Sequence, residues 1–296
     1  MPHVVAPDWA EPNPIATSVA SCVTPRSATA THFIRKMRGT SQAHLLMADD
    51  EQAYVVKFSN NPQHLRSLVN EFIASALFVH LRISTPETGI IRITEEFLGE
   101  NPEVYLDLGN RRCAVQPGRH FGSCYPGDPN YAHVYDFLPD PMLAAVVNAS
   151  HFLGALVVGK WMANSDPRQS IFIRAPPETT CSPSSRFIVQ MVDHGSAFDG
   201  AGWRFRDSPL GSVYFRPSVY PPADMAGLFQ PWLDLVGRFP EEVLSHSIHH
   251  VPDEWLAGDD HSRLEGLVEG LLLRRSGVAD LIGAYVELRK LSLVQQ

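Results

Sequence analysis

The sequence predicts an α+β protein of two lobes, a small β-rich lobe followed by a larger, mainly helical one. Three observations carry this. Extended runs rich in β-branched and aromatic residues crowd between Thr31 and Phe58. Apolar residues then recur at helical spacing over 65–81 and in several segments beyond 223. Between these regions lies one short hairpin pattern, 171–173 and 187–192, whose ends are polar.

Each element follows from local chemistry. Residues 1–30, rich in Pro, Ala, Ser and Thr without a period, read as a flexible arm. Phe33, Arg35 and Met37 share one face of an extended run ending at Arg38-Gly39-Thr40-Ser41. With 43–47 and 54–58 this run makes a three-stranded antiparallel meander. Pro62 suits a first helical turn, and Leu65, Leu68, Val69, Phe72, Ile73, Ala76, Leu77 and Leu81 mark the helix after it. Residues 88–94 read as a strand, 111–120 and the glycines near 122 and 127 as irregular, and 133–139 as a strand leaving into a connector at 136–139. Helices are expected at 141–148, 152–162, 224–238, 240–247, 262–274 and 278–291. The expected division is an arm at 1–30, a first lobe at 31–139 and a helical lobe at 140–296.

Composition narrows the function. The 296 residues carry 24 Lys plus Arg and 32 Asp plus Glu, a net charge of 24 − 32 = −8, with 44% hydrophobic residues. That is a globular composition, and its acidic balance argues against general nucleic-acid binding. The longest apolar runs, such as 152–158, fall short of the roughly 20 residues of a membrane helix. No basic start followed by an apolar core opens the first 30 residues, so no secretory signal is expected. Cys22, Cys113, Cys124 and Cys181 are scattered without metal-site or disulfide spacing. They read as free thiols of a reducing compartment, and the expected localisation is cytoplasmic.

The candidate chemistry lies where polar residues interrupt apolar patterns. Lys57 sits in Tyr54-Val55-Val56-Lys57-Phe58, on the strand face of Val55, and a buried lysine needs a partner. Glu71, beside the apolar stripe of the following helix, can supply it. A strand lysine held by a helix glutamate is one way to present an ammonium to nucleotide phosphates. Gly39-Thr40-Ser41-Gln42 joins two strands, and such a turn can bring amides and hydroxyls to an anion. Asp166 precedes one hairpin strand and Asp193-His194-Gly195 ends the other. One acid can orient and deprotonate a hydroxyl while the other holds Mg2+ against phosphate. Taken singly, each is also a plain hairpin turn, a surface lysine or a loop cap. Their order (glycine turn, strand Lys, helix Glu, connector, Asp loop, strand-Asp-x-Gly) is that of a two-lobed protein-kinase-like fold. No Walker motif, GxGxxG or GxSxG elbow occurs. In His246-Ser247-Ile248-His249-His250, His246 and His250 have metal-ligand spacing but no evident companion.

The stretches 37–46, 54–63, 70–77, 134–140, 152–172 and 191–200 together resemble a HipA-like kinase domain of compact bacterial form. The resemblance covers about residues 30–240, and 152–200 is its most specific block. It implies a two-lobed kinase fold, ATP and Mg2+ as cofactors and phosphoryl transfer to an alcohol group, often a protein Ser or Thr; composition adds the expectation that neither a membrane nor, given the acidic balance, nucleic acid is the partner. By the resemblance, Lys57 is the ATP-phosphate lysine and Glu71 its helix partner. Ser41 and Gln42 match the phosphate-covering loop, to which the turn reading adds Gly39 and Thr40. Tyr135, Asp136, Phe137 and Leu138 are the hinge whose backbone meets adenine. Asp166 is the catalytic aspartate and Asp193 the metal ligand. The wider kinase pattern places a second metal-binding Asn about five residues after the catalytic Asp. Ile171 stands there, Gln169 is the nearby amide, and Pro167 replaces the usual Gly. Either Gln169 substitutes as the ligand, or the second metal site is weak. A nucleotide-binding pseudokinase or interaction module, or a kinase for a small-molecule or lipid acceptor, stays open at this point.

Overall fold

The computed structural model describes residues 25–167, 170–175 and 186–294, and the statements below concern these. Most of the expected arm, Cys22, Arg168, Gln169 and Cys181 lie outside them. Strands β1 (Arg26–Lys36), β2 (His44–Ala48) and β3 (Ala53–Lys57) form the expected antiparallel meander. Helix α1 (Arg66–His80) follows, then β4 (Thr88–Ile93), α2 (Glu95–Glu100), the hairpin β5 (Tyr105–Leu108) with β6 (Arg111–Ala114), and β7 (Gly118–Cys124). Five strands close a barrel in the order β1-β2-β3-β7-β4, with β1 and β4 parallel.

Two expectations are corrected here. β1 begins at Arg26, inside the segment read as an arm, and buries Ala28 and Ala30 in the barrel. Small residues suit this closure because the walls approach closely: a Cβ on Gly89 would lie 2.9 Å from the Arg26 carbonyl oxygen. The segment 111–120, read as irregular, supplies β6 and the start of β7. Arg-His-Phe-Gly carries little strand propensity, yet β7 is a central strand between β3 and β4. Gly122 is required there, since a Cβ would meet Ile91 Cγ1 at 2.4 Å.

The route between the lobes also differs from expectation. β7 is the last barrel strand, so the chain leaves the barrel after Cys124, not at 136–139. The next strand, β8 (Val134–Tyr135), already pairs with β9 (Ser170–Arg174), which pairs antiparallel with β10 (Phe187–Met191). Helix α3 (Asp140–Leu143) is shorter than the helix read at 141–148. Then come α4 (His151–Trp161), α5 (Gln230–Gly237), α6 (Glu241–His249), α7 (Asp260–Arg274) and α8 (Val278–Val294).

Helix α4 is the centre of the helical lobe. Phe152 through Trp161 are all buried, as a helix apolar on every side should be. Its glycines admit neighbours: Gly154 faces the Trp232 ring and Gly159 faces Ser212. Lys160, buried in the same helix, donates to the carbonyls of Ser208 and Pro209, both at 2.7 Å, and so anchors that segment. Helix α1 belongs to the same apolar cluster as α4, Trp232 and Trp255, whereas the barrel has a separate cluster around Tyr54, Phe58 and Ile91. Among the described residues no helix is long and apolar enough to cross a membrane.

Two glycines in helices should respond oppositely to alanine. At Gly154 the new Cβ would sit 2.8 Å from the Trp232 ring. There Gly154→Ala is expected to cost about 1–3 kcal/mol by overpacking, more than the gain in helix propensity. At Gly266 in α7 nothing lies within 4 Å. Gly266→Ala should stabilise by roughly 0.5–1 kcal/mol. Urea unfolding of the two variants checks both signs.

Candidate active site

The site is built around Lys57, the last residue of β3, which pairs in register with Phe121 of β7. Its ammonium donates to Glu71 Oε1 and, at 2.7 Å, to Asp193 Oδ1. Glu71, on α1 and 2% exposed, accepts two further bonds: Oε2 from the His194 amide and Oε1 from the Gly195 amide, both at 2.9 Å. Three donors thus satisfy one buried carboxylate. Burial opposes the Lys57 charge, but the two carboxylates overcome it and raise its pKa. Burial likewise works against an ionised Asp193, and Lys57 outweighs it, holding that carboxyl below its ordinary range. For Glu71 burial pushes the carboxyl up against the pull of Lys57.

The chain after β10 is shaped to these bonds. Asp193 is left-handed at φ 62°, which turns the next two amides toward Glu71. Gly195 fits under that carboxylate, where a Cβ would lie 3.3 Å from Oε1. His194 is buried and stacks on Phe78 with ring centroids 4.4 Å apart. Burial drops its pKa to about 3, so the ring is neutral. Asn70, next to Glu71, donates to the carbonyls of Gly195, Ala197 and Gly200 and accepts from the Trp203 indole. One turn earlier, Arg66 bonds Asp260 and the Ala201 carbonyl. Asn70 and Arg66 escaped the sequence reading. The signal was present, a polar Asn beside a Glu in an otherwise apolar helix.

Asp166 reaches the same end of the β9–β10 hairpin as Asp193, because Ser170 pairs with Met191. Its amide is capped by Asn164 Oδ1 at 3.0 Å, and the neighbouring Ser165 amide bonds the Ser196 carbonyl at 3.4 Å. Asn164 in turn accepts from the Ser212 hydroxyl through its carbonyl, and the Phe215 amide bonds the Pro167 carbonyl. The segment anchored by Lys160 therefore lies against the Asp166 loop.

A cavity of about 690 Å³ lies between barrel and helical lobe. Of the expected residues, Gly39, Ser41, Lys57, Glu71, Asp136, Phe137 and Asp193 line it. Thr40, Gln42, Tyr135, Leu138 and Asp166 are not in its lining. The Thr40 hydroxyl accepts from Gln63, and the Gln42 amide makes a reciprocal pair with the Asp107 backbone. Tyr135 packs edge-on against Phe187, and Leu138 is buried in the core. The hinge expectation is thus corrected in part. Ser123, Cys124, Tyr125 and Pro126, at the end of β7 where the chain leaves the barrel, also line the cavity. So do Arg38, Ser170 and Arg216, which sequence reasoning passed over. The Ser170 hydroxyl is buried without a hydrogen-bond partner among the described residues. The histidines of α6 gather no metal set: among the described residues no three His, Cys, Asp or Glu side chains do.

Two measurements probe this construction. Glu71→Gln removes the charge that compensates buried Lys57, and the expected cost is about 3–5 kcal/mol in urea unfolding. Lys160 carries a pH signature. Burial lowers its pKa to about 8 from the ordinary 10.5. Below pH 8 both folded and unfolded chains hold the proton; between 8 and 10.5 only the unfolded chain does, so folding gains stability as pH rises. The slope reaches at most about 1.4 kcal/mol per pH unit, and Lys160→Met should abolish it.

Three comparisons with known proteins were informative to different degrees. The Golgi casein kinase crystal structure aligns over 90% of this chain and 73% of its own, at 11% identity and a TM-score of 0.49. The structure of that kinase with Mn/ADP bound gives 12% identity and a TM-score of 0.47 over the same shares. The Helicobacter pylori proinflammatory kinase CtkA aligns over 89% of this chain and 98% of its own, at 12% identity and a TM-score of 0.45. Among curated proteins no sequence matches. The HipA-like kinase profile matches residues 31–204, more than half of the chain and spanning Lys57, Glu71, Asp166 and Asp193, and the chain belongs to the HipA-like kinase family.

Proposed function

We propose that this HipA-like kinase transfers the γ-phosphoryl group of ATP, with Mg2+, to an alcohol group, most simply a protein Ser or Thr. One observation carries the reading: Lys57, held by Glu71, meets Asp193 in a cavity between the lobes. Lys57 binds phosphate oxygens as a point charge whose position Glu71 sets. The chain after β7 and the residues Asp136 and Phe137 border the base.

The residues present fit a divalent ion. Among the described residues, the charged side chains lining the cavity are Arg38, Lys57 and Arg216 against Glu71, Asp136 and Asp193, which cancel as 3 − 3 = 0. A triphosphate brings negative charge that this lining cannot offset. Asp193 offers a carboxylate that is 54% exposed, with Oδ1 bonded to Lys57. Asp193 would hold the ion together with phosphate oxygens, and Ser170, which also lines the cavity, carries a hydroxyl where Ile171 carries none. Gln169 keeps its expected assisting role from the sequence alone. The ion supplies neutralisation of phosphate charge.

Asp166 orients the acceptor hydroxyl and takes its proton as that oxygen bonds the γ-phosphorus. The bond from γ-phosphorus to the bridging oxygen breaks, and ADP leaves. Catalysis is positioning plus charge neutralisation. A binding-only module is the second reading, favoured by Ile171 at the place of the second metal-binding amide.

Labelled-phosphate transfer tests the assignment. Asp166→Asn should lower transfer by roughly 10²–10⁴-fold while nucleotide still binds. Asp193→Asn should lose transfer and the metal-dependent part of nucleotide affinity. Asp193→Asn transfer equal to wild type would sink the assignment. A wild-type chain that is stabilised by ATP and Mg2+ in thermal unfolding but transfers nothing selects the binding-only reading.

A further inference from the structure

We infer that Arg38 is a phosphate-binding residue of this site, its guanidinium taking oxygens of the nucleotide's phosphate chain. The inference rests on the phosphotransferase reading. Among the described residues, three cations line the cavity. Lys57 is compensated by Glu71 and Asp193. Arg216 is compensated by Asp140, which it bonds through Nε at 2.8 Å and a terminal nitrogen at 2.6 Å. Arg38 alone of the three has no side-chain hydrogen bond or ion pair among the described residues. It is exposed, so its charge carries no desolvation cost and stays available to a ligand.

The turn that carries Arg38 is held rigid by groups the sequence assigned to phosphate. The Met37 amide bonds the Ala43 carbonyl at 2.8 Å and closes the base of the turn. Gly39 adopts φ +123° with open space around it. Thr40 is tied to Gln63, the Ser41 carbonyl to the Asn61 side chain, and Gln42 to the Asp107 backbone in both directions. The side chains of Thr40 and Gln42 are therefore committed to the scaffold. What remains for an anion on this side of the cavity is Ser41 and the free guanidinium of Arg38, both in the cavity lining. A planar guanidinium donates to two phosphate oxygens in a bidentate fork, which the Lys57 ammonium cannot do.

The test is calorimetric affinity of wild type, Arg38→Gln and Arg38→Lys for ATP, ADP and adenosine with Mg2+ present. Loss of a charge-assisted contact predicts about a tenfold weaker ATP affinity in Arg38→Gln, a smaller loss for ADP and none for adenosine. Arg38→Lys should fall between, since it keeps the charge and loses the fork. Thermal unfolding without nucleotide should match wild type in both variants. An equal loss for all three ligands, or no loss for ATP, overturns the inference while leaving the kinase reading standing. A wild type that binds none of the three overturns that reading, and the inference with it.

Discussion

The site depends on how Glu71 is satisfied. A carboxylate buried in an apolar helix would be expensive if left with one partner. Here it receives the Lys57 ammonium and two consecutive backbone amides, those of His194 and Gly195. These three donors come from the barrel and from the chain just past β10. Satisfying one side chain therefore fixes where a barrel strand, α1 and the Asp193 turn stand relative to one another. The left-handed Asp193 and the glycine at 195 are the local conditions for presenting two adjacent amides to one carboxylate.

The neighbouring polar residues of α1 extend the same logic. Asn70 gathers three carbonyls of the chain at 195–200, and Arg66 adds a fourth at Ala201 together with Asp260 of α7. Backbone carbonyls in an irregular buried loop need donors, and α1 provides them from successive turns. The helix also shares the apolar cluster of the helical lobe rather than that of the barrel, although it lies between β3 and β4 in the chain. Lys57 is thus one tie between the barrel's own packed unit and the other one, alongside Phe121 and Arg119 of β7, the latter bonded to Glu254 and Trp255. The cavity opens beside that tie, with Arg38, Lys57 and Arg216 facing Glu71, Asp136 and Asp193 among its described lining residues.

A second support acts from the opposite side. Lys160, in the most apolar helix of the protein, turns its ammonium to two carbonyls and seats the 208–212 segment, whose Ser212 hydroxyl then holds Asn164. Asn164 caps the amide of Asp166. The candidate base is positioned through a chain of bonds that begins in the core. The HipA-like kinase family membership of residues 31–204 covers both supports only in part, since the segment seated by Lys160 lies beyond it.

By itself the sequence determined the meander and the long helices and singled out Lys57, Glu71, Asp166 and Asp193 as candidates, because each depends on local periodicity or on a polar residue breaking an apolar run. It misread what depends on distant partners. β7 has a composition unlike a strand and is one only because β3 and β4 flank it, with Gly122 admitting Ile91. That error moved the expected crossing between lobes from Cys124 to 136–139. Thr40 and Gln42 have the chemistry for phosphate, yet Gln63 and Asp107, 23 and 65 residues away, engage them first. Only the tertiary structure decided which of several suitable polar groups are committed to the scaffold and which remain free, because hydrogen-bond capacity is local while its use is settled by packing.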